Sequence, residues 1–502
     1  MTSPVPETPF SQGEAQFDFW RKRIGLFAGP LLAVAIASLP LPLSFEAHSV
    51  AALMSGVIVY WMTEAIPLPM TALLAPVVAI LLGMGKAEEV LASFGHPILF
   101  IFIGTFLIAA AMEKHRLDRH FALWILSFQW VRQRPERLLG TMGMITAFLS
   151  MWLSNTATVA MMMPIALGLL AALPQEMRRG NYATGMMLMI AFSASVGGIG
   201  TPIGTPPNLI GIGMIAKQTG RTLTFFEWMG LAVPLMIVMF LVLCGLLKFL
   251  HLPSYMTNTA DQAVPLSVSY REETQWTTGK RNTLLAFSMA ILLWVAPGIL
   301  GLIFGGKAEI LKQYHRLLPE GSVAILAATL LFILPTDWSQ SEFTLSWEEA
   351  SGIDWGTILL FGGGLAMGDL MFKSGLAQAI GDGTRAVLQV HSLWAITALA
   401  IFLGITVSEL ASNTASANMV VPVVLAIAGA SDVPLIPPAL GATLGASYGF
   451  MLPISTPPNA MVYGSGLIPI GRMIRAGVIF DILGFFIIWI GLYLLCPLLG
   501  LM

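Results

Sequence analysis

Long apolar runs recur along almost the whole chain, and they constrain its fold more than any other feature. Between Ile24 and Met502 these runs follow one another with few charged side chains. Each has roughly 18 to 25 residues, enough to cross a hydrocarbon core of about 30 Å as an α-helix. Charged residues make up 10% of the chain, whereas soluble domains carry about 25%. A water-soluble fold is therefore excluded, and the chain is predicted to be an all-α polytopic membrane protein.

The apolar segments predict eleven transmembrane helices and two re-entrant hairpins. The hairpins are the stretches 140–173 and 393–430, because each has a polar tripeptide at mid-length that a straight span in lipid would leave unsatisfied. The alternative reading makes each stretch one tilted span. The eleven spans are 24–40, 50–63, 67–83, 97–112, 184–215, 228–247, 283–303, 322–335, 356–371, 438–464 and 475–496.

The lysines and arginines indicate how the chain is oriented. With two hairpins and a cytoplasmic N-terminus, seventeen of the 25 fall on the cytoplasmic side, as the positive-inside rule expects. This arrangement predicts a multi-pass protein of the cell inner (plasma) membrane with an extracytoplasmic C-terminus. Residues 1–16 are polar, contain three prolines and have no basic cluster. They predict a disordered cytoplasmic tail rather than a cleavable secretion signal.

Two motifs occur twice, in the same order. Ser-Asn-Thr-Ala occupies 154–157 and 412–415, and Thr-Pro-Pro-Asn occupies 205–208 and 456–459. The repetition indicates an internal duplication. With an odd number of spans between equivalent points, the two copies face opposite ways, which is the inverted repeat of secondary transporters. Such a plan puts a ligand site at the bilayer midplane, where the copies meet.

Each copy contributes two polar breaks, namely a hairpin turn and a span interrupted by Gly and Pro at 197–208 or 441–459. Freed backbone groups survive in a membrane only where they line a cavity or ligand. The Asn, Ser and Thr side chains there donate to anions and offer oxygens to a cation. The breaks contain no lysine or arginine, so a bound dianion needs accompanying cations. The alternative is that Ser-Asn-Thr only caps a helix.

Intramembrane carboxylates are further candidates for a functional role. Glu409 lies beside the second Ser-Asn-Thr signature, and such a group is either a functional site, for example for a proton, or a hydrogen-bonded structural group. Asp481, like Glu64 and Asp369, lies near a predicted span end, so an interfacial position is expected for it. Charge balance, at −2 overall without a basic block, predicts no nucleic-acid partner.

On these motifs the chain resembles the divalent anion/sodium symporters, the INDY-like carriers of citrate, succinate and sulfate. The resemblance runs from about Trp20 to Cys496. It rests on the Glu-Ala-Ile-Pro sequence at 64–67 that opens the third span, on both Ser-Asn-Thr signatures and on both Thr-Pro-Pro-Asn segments. Ser408 stands where Thr would equally be expected, a change that keeps the hydroxyl.

The resemblance implies the residues of the site. Sodium (Na+, the coupling ion) would be bound, partly through carbonyls, by two sets: Ser150, Ser154, Asn155 and Gly200 in one, and Ser408, Ala411, Asn413 and Ser455 in the other. The substrate carboxylates would meet Asn155, Thr156, Thr201, Ser412, Asn413, Thr414, Thr456 and Pro457. The expected partners are a small dicarboxylate anion, sodium, the lipid bilayer and a second copy in a homodimer.

The resemblance also implies a mechanism and a domain division. Family members move a substrate domain as an elevator against a fixed scaffold. The corresponding segments are a cytoplasmic tail (1–22), scaffold helices (23–115), the first transport repeat (116–230), connecting and scaffold helices (231–375) and the second transport repeat (376–502). The expected function is sodium-coupled import of di- or tricarboxylates such as succinate, malate or fumarate. Open alternatives are a sodium-independent dicarboxylate exchanger, a sodium-sulfate symporter and, from another class, a membrane enzyme.

Overall fold

The computed structural model describes residues 9–178, 180–252, 274–305, 308–388 and 392–502. Helices account for nearly all of the regular structure. The first half contains α1 (Pro9–Ser38), α2 (Phe45–Thr63), α3 (Leu68–Leu81), α4 (Ala87–Leu91), α5 (Pro97–Lys114), α6 (Leu117–Leu126), α7 (Gln129–Arg132), α8 (Pro135–Ser150), α9 (Asn155–Ala171), α10 (Gln175–Arg178), α11 (Asn181–Gly198), α12 (Pro206–Thr219) and α13 (Phe225–His251).

The second half repeats this pattern with one small addition, a two-stranded antiparallel hairpin. It contains α14 (Thr278–Phe304), α15 (Glu309–Leu317), α16 (Glu320–Ile333), β1 (Pro335–Asp337), β2 (Glu342–Phe343), α17 (Trp347–Ala350), α18 (Trp355–Lys373), α19 (Leu376–Leu388), α20 (Leu393–Leu410), α21 (Asn413–Ala430), α22 (Ile436–Gly445), α23 (Pro457–Gly464) and α24 (Ile470–Leu498). Short 3₁₀ turns occupy Ala92–Gly95 and Pro453–Ser455.

Every apolar segment predicted from the sequence contains a helix, so the all-α assignment is confirmed except for β1 and β2. Within the described ranges, eight helices are long and apolar enough to cross a membrane, or nine if α15 and α16, bent by 54°, form one span. The figure of eleven spans stays a prediction. The helices carry large apolar side chains on their outer surface, as lipid contact requires. Examples are Leu31, Leu81, Phe249, Leu292, Leu302 and Leu498.

Two expectations about single segments are wrong. Helix α1 already begins at Pro9, so residues 9–16 are helical and not disordered, whereas residues 1–8 lie outside the described ranges. Proline is well tolerated in a first helical turn, and no further proline follows until Pro30. Asp481 is the second case, because it lies well inside α24 with 6% of its surface exposed. It is a core residue and not an interfacial one.

The two halves pack by equivalent contacts. Helices α8 and α9 form the first hairpin and both contact α11, and α20 and α21 form the second hairpin and both contact α22. The halves then cross over, since α9 packs against α23 and α21 against α12. Every residue of α11 from Tyr182 to Gly198 is buried, and so is every residue of α22. The broken spans therefore run through the centre of the molecule, with the hairpins beside them.

Candidate transport site

The first hairpin turn begins the helix that carries the first signature. Ser154 is the N-cap of α9, and its hydroxyl accepts a hydrogen bond from the Ala157 amide at 3.2 Å. Serine and asparagine favour this position because they satisfy an otherwise unpaired amide. Ser150, on the other arm, donates through Oγ to Asn155 Oδ1 at 2.7 Å. The turn is thus closed by two polar side chains within a largely apolar hairpin.

The first broken span lies against this turn. The Thr201 hydroxyl, which is fully buried, donates to the Met151 carbonyl and so ties the break to the hairpin. Asn208, in the first turn of α12, donates through Nδ2 to the Gly198 carbonyl at 2.9 Å and the Thr201 carbonyl at 2.7 Å. One side-chain amide therefore bridges the break and satisfies two carbonyls that the interrupted helix has freed.

The second hairpin turn repeats the first. Ser412 caps α21 and accepts from the Ala415 amide at 3.3 Å. Ser408 donates to Asn413 Oδ1 at 2.8 Å and lies 2.9 Å from the Ala446 carbonyl. Asn413 Nδ2 in turn reaches the Ser447 carbonyl at 3.5 Å. The serine–asparagine pair is the same as in the first half, but here both side chains also bond to backbone carbonyls of the broken span.

The second broken span has the same amide bridge. Asn459 Nδ2 donates to the Gly449 carbonyl at 2.9 Å and to the Leu452 carbonyl at 3.1 Å. Thr456 accepts from the Asn459 amide at 3.3 Å. The Ser455 hydroxyl donates to the Glu409 carboxylate at 2.7 Å. The break and the hairpin are thus connected here as well, through a carboxylate.

The structure divides the predicted site residues by exposure. Ser150, Gly200, Thr201, Ser408, Ala411, Ser455 and Thr456 are buried. Asn155, Ser412, Asn413 and Thr414 are half-buried, and Ser154, Thr156 and Pro457 are exposed. Within each half the hydrogen bonds bring hairpin and break together, and the crossed contacts of α9 with α23 and of α12 with α21 bring one half against the other. The first signature is the more open of the two.

A cavity of about 390 Å³ lies beside the first turns of α9. Its lining combines the end of α5, the start of α6 and one face of α9, with Glu113, Arg116, Asp118, Arg119, Ala157, Ala160 and Met161. Asp118 is in the short helix α6, and burial raises the pKa of its carboxyl. Of the first signature, only Ala157 lines this cavity, beside the charged residues of α5 and α6 and the segment between them.

Sequence reasoning missed three roles. Asn208 and Asn459 were recognised as motif residues but not as the amides that bridge the breaks, although their duplication was the available signal. Within the described residues, the Oδ1 atom of each is buried without a hydrogen-bond partner. Trp228 was also missed, and its indole donates to the Ile199 carbonyl at 3.0 Å. No sequence pattern marked this contact.

Comparison with known proteins identifies the family. Residues 20–501 match the family described as "Sodium:sulfate symporter transmembrane region". The chain belongs to this family. It is accordingly a multi-pass membrane transporter and not an enzyme, with sodium as its coupling ion. The predicted family, transporter class and coupling ion are confirmed, and the membrane enzyme is excluded.

Individual relatives match over most of their length. An uncharacterized transporter of Haemophilus influenzae is 33% identical over 443 residues, covering 88% of this chain and 90% of the relative. A "Sodium-dependent dicarboxylate transporter SdcS" of Staphylococcus saprophyticus is 31% identical over 488 residues, covering 94% and 91%. The same-named protein of Staphylococcus aureus is 31% identical over 511 residues, covering 97% and 92%. The solved structure of the Alcanivorax borkumensis YdaH transporter has a TM-score of 0.49 and 14% identity, covering 97% and 98%.

Proposed function

We propose that this transporter imports small di- or tricarboxylates such as succinate, malate or fumarate across the plasma membrane, driven by sodium. The observation that carries the proposal is the pair of equivalent half-sites, each built of neutral amides, hydroxyls and backbone groups. The four breaks contain no lysine or arginine. A dicarboxylate bound there has its charge balanced by the sodium ions that accompany it. Two of the relatives carry the name of sodium-dependent dicarboxylate transporters.

The residues divide by chemistry into anion donors and sodium ligands. Helices α9, α12, α21 and α23 all begin at a break, and helix N-termini present free amides and a positive dipole end to an anion. The proposed substrate ligands are Asn155, Thr156, Thr201, Ser412, Asn413, Thr414, Thr456 and Pro457. Sodium takes oxygens of Ser150, Ser154, Asn155 and Gly200 in the first half, and of Ser408, Ala411, Asn413 and Ser455 in the second.

The proposed mechanism is an elevator. The two hairpins and the two broken spans, within 116–230 and 376–502, move as one body against the scaffold helices of 23–115 and 231–375. The duplicated hydrogen bonds and crossed contacts support two inverted repeats that meet at the site. The proposal includes eleven spans, a cytoplasmic N-terminus, an extracytoplasmic C-terminus and a homodimer. Because both half-sites belong to the moving body, the bound sodium ions and the bound anion cross the membrane together.

Uptake into proteoliposomes tests the function. Labelled succinate, citrate and sulfate are each offered with an inward sodium gradient and with choline in its place. We expect succinate to accumulate only with sodium, and unlabelled malate and fumarate to compete. Robust succinate counterflow in choline would instead make the protein an exchanger. Sodium-driven sulfate uptake that succinate does not inhibit would make it a sulfate symporter.

A further inference from the structure

The end of α12 is bonded to two segments that the proposed mechanism keeps fixed. Lys217, in the last turn of α12, forms an ion pair with Asp369 of α18. Its ammonium group also donates to the Ser93 hydroxyl at 3.1 Å, in the turn that precedes α5. The side chains of Lys217 and Asp369 are 27% and 17% exposed, so water screens the pair only in part. Since α12 is part of a broken span and both partners belong to the scaffold, these contacts join the moving body to the fixed one.

The ion pair lies at a closed junction of three helices. Here α12 and the hairpin arm α21 both pack against α18. A methyl group on Gly364 of α18 would collide with the side chain of Asn418 of α21, so these two helices approach as closely as a glycine allows. The space left between the three helices is about 10 Å³, which is the lower limit for a single water molecule. The moving body and the scaffold are therefore in direct contact on this side.

The equivalent junction of the first half is open. Its helices are α5 and α9, because α5 ends in a lysine as α18 does, and α9 begins at the first Ser-Asn-Thr signature as α21 begins at the second. The cavity of about 390 Å³ separates Glu113 of α5 from Met161 of α9. Met161 lines this cavity and is half-buried, whereas its counterpart Met419 is 6% exposed. Equivalent helices thus enclose an open space in one half and a closed junction in the other.

The proposed inverted repeat predicts how this difference reverses. When such a transporter changes sides, the two halves exchange their conformations, so in the opposite end state α9 packs on α5 while α21 separates from α18. Asp369 lies four residues before the final lysine of α18, and the same position of α5 is Ala110. Lys217 lies nine residues after the asparagine of Thr-Pro-Pro-Asn, and the same position in the second half is Ile468. The equivalent junction cannot form an ion pair when it closes.

We infer that Lys217, Asp369 and Ser93 form a latch that favours the described conformation over the opposite end state and must open in every transport cycle. The inference rests on the proposed function, because it presumes that α12 moves past α18. A partly exposed ion pair shifts such an equilibrium by up to about fivefold. Because the opposite end state has no corresponding pair, the two ends of the movement are unequally populated at rest.

Thiol labelling measures this equilibrium without measuring transport. Met161→Cys and Met419→Cys are introduced separately into the full-length protein, in which Cys244→Ala and Cys496→Ala remove the free native thiols. A membrane-impermeant maleimide is applied to unsealed membranes, so that it reaches both faces. We expect Met161→Cys to react fast, because this position lines the open cavity. Met419→Cys should react slowly, because its position becomes accessible only in the opposite end state.

Breaking the latch should expose the closed junction more often. We expect Lys217→Met to raise the reaction rate of Met419→Cys roughly threefold to fivefold, and Asp369→Asn, which keeps the shape of the side chain, to give the same rise. Lys217→Asp combined with Asp369→Lys restores the opposite charges, so the rate should return to its starting value. Lys114→Met is the matched control, because it breaks a lysine–carboxylate pair, with Glu349, that lies entirely within the scaffold.

The outcomes separate the latch from the proposed function. A Met419→Cys rate that Lys217→Met and Asp369→Asn leave unchanged would overturn the latch. An equally large rise in Lys114→Met would also overturn it, since the loss of any ion pair would then suffice. Equal, invariant rates for Met161→Cys and Met419→Cys would remove the elevator movement and the latch with it. If labelling changes as expected while succinate uptake ignores sodium, the proposed function fails and the latch stands.

Discussion

The two half-sites share the same set of serine and asparagine hydrogen bonds, here called the frame, but they differ in the contact that joins the hairpin to the break. In both, a serine donates to an asparagine oxygen across the hairpin turn, and a second asparagine bridges the break with its amide. In the first half, the Thr201 hydroxyl of the break donates to the Met151 carbonyl of the hairpin. In the second half, the Glu409 carboxylate of the hairpin accepts hydrogen bonds from a backbone amide and a serine hydroxyl of the break. The shared hydrogen bonds are the same in both halves, whereas the contacts that join hairpin to break differ in chemistry.

Removing the signature asparagines should have the largest effect. Asn155→Ala and Asn413→Ala each remove an oxygen and an amide from the site and leave the hydroxyl of Ser150 or Ser408 without its acceptor. About 3 kcal/mol lost in this way corresponds to roughly a 100-fold slower uptake. The measurement is initial succinate uptake at matched membrane expression, with exposed Asn181→Ala as the control. Normal transport in either variant would refute the assigned site.

The bridging asparagines should show that the frame is symmetric. Asn208→Ala and Asn459→Ala each leave two backbone carbonyls without their donor, at a cost of about 1 to 3 kcal/mol for each buried group. We therefore expect both variants to lose several kcal/mol of folding stability, to a similar extent. Thermal unfolding of the detergent-purified proteins measures this. A loss confined to one half would show that the two breaks are not held alike.

The two hairpin serines make different numbers of hydrogen bonds, so we expect their removal to differ in its effect on sodium activation. Ser150→Ala removes one contact, to Asn155, and about 1 kcal/mol corresponds to roughly a fivefold higher half-saturating sodium concentration. Ser408→Ala also deprives the Ala446 carbonyl of a partner, so a larger rise is expected. Sodium activation of succinate uptake in both variants gives the comparison. An equal or smaller effect of Ser408→Ala would contradict the difference between the halves.

The smallest effect should come from an ion pair whose lysine has no counterpart at the equivalent position of the second half. Lys217 of α12 pairs with Asp369 of α18, and both side chains are partly exposed. The position equivalent to Lys217 in the second half is Ile468. Such pairs contribute up to about 1 kcal/mol, so Lys217→Met should lower the melting temperature slightly. Lys312→Met, which breaks the exposed pair with Glu309, is the control. A loss of more than about 3 kcal/mol of unfolding free energy in Lys217→Met would contradict the assignment of this pair as an ordinary, partly exposed ion pair.

Much of the architecture could be predicted because it follows from local patterns. Apolar runs identified the helices, Gly and Pro located the breaks within 197–208 and 441–459, and repeated tetrapeptides revealed the duplication. The start of α1 was misjudged, since three prolines near the N-terminus suggested disorder while the residues after Pro9 are compatible with a helix. Asp481 was misplaced because its distance from the predicted span end, near 475, is short in sequence. Burial depends on neighbours in space, which that distance does not report.

By itself the sequence determined the membrane environment, the helical class and the motifs that carry the site, because helix length, hydrophobicity and capping act over a few residues. The tertiary structure alone decided which groups meet. The amide bridges of Asn208 and Asn459, the indole of Trp228 on the first break, and the hydrogen bond of Ser455 to Glu409 join residues whose proximity no local pattern encodes. In a medium without water every such polar group must find its partner within the protein, and only the folded chain supplies those partners.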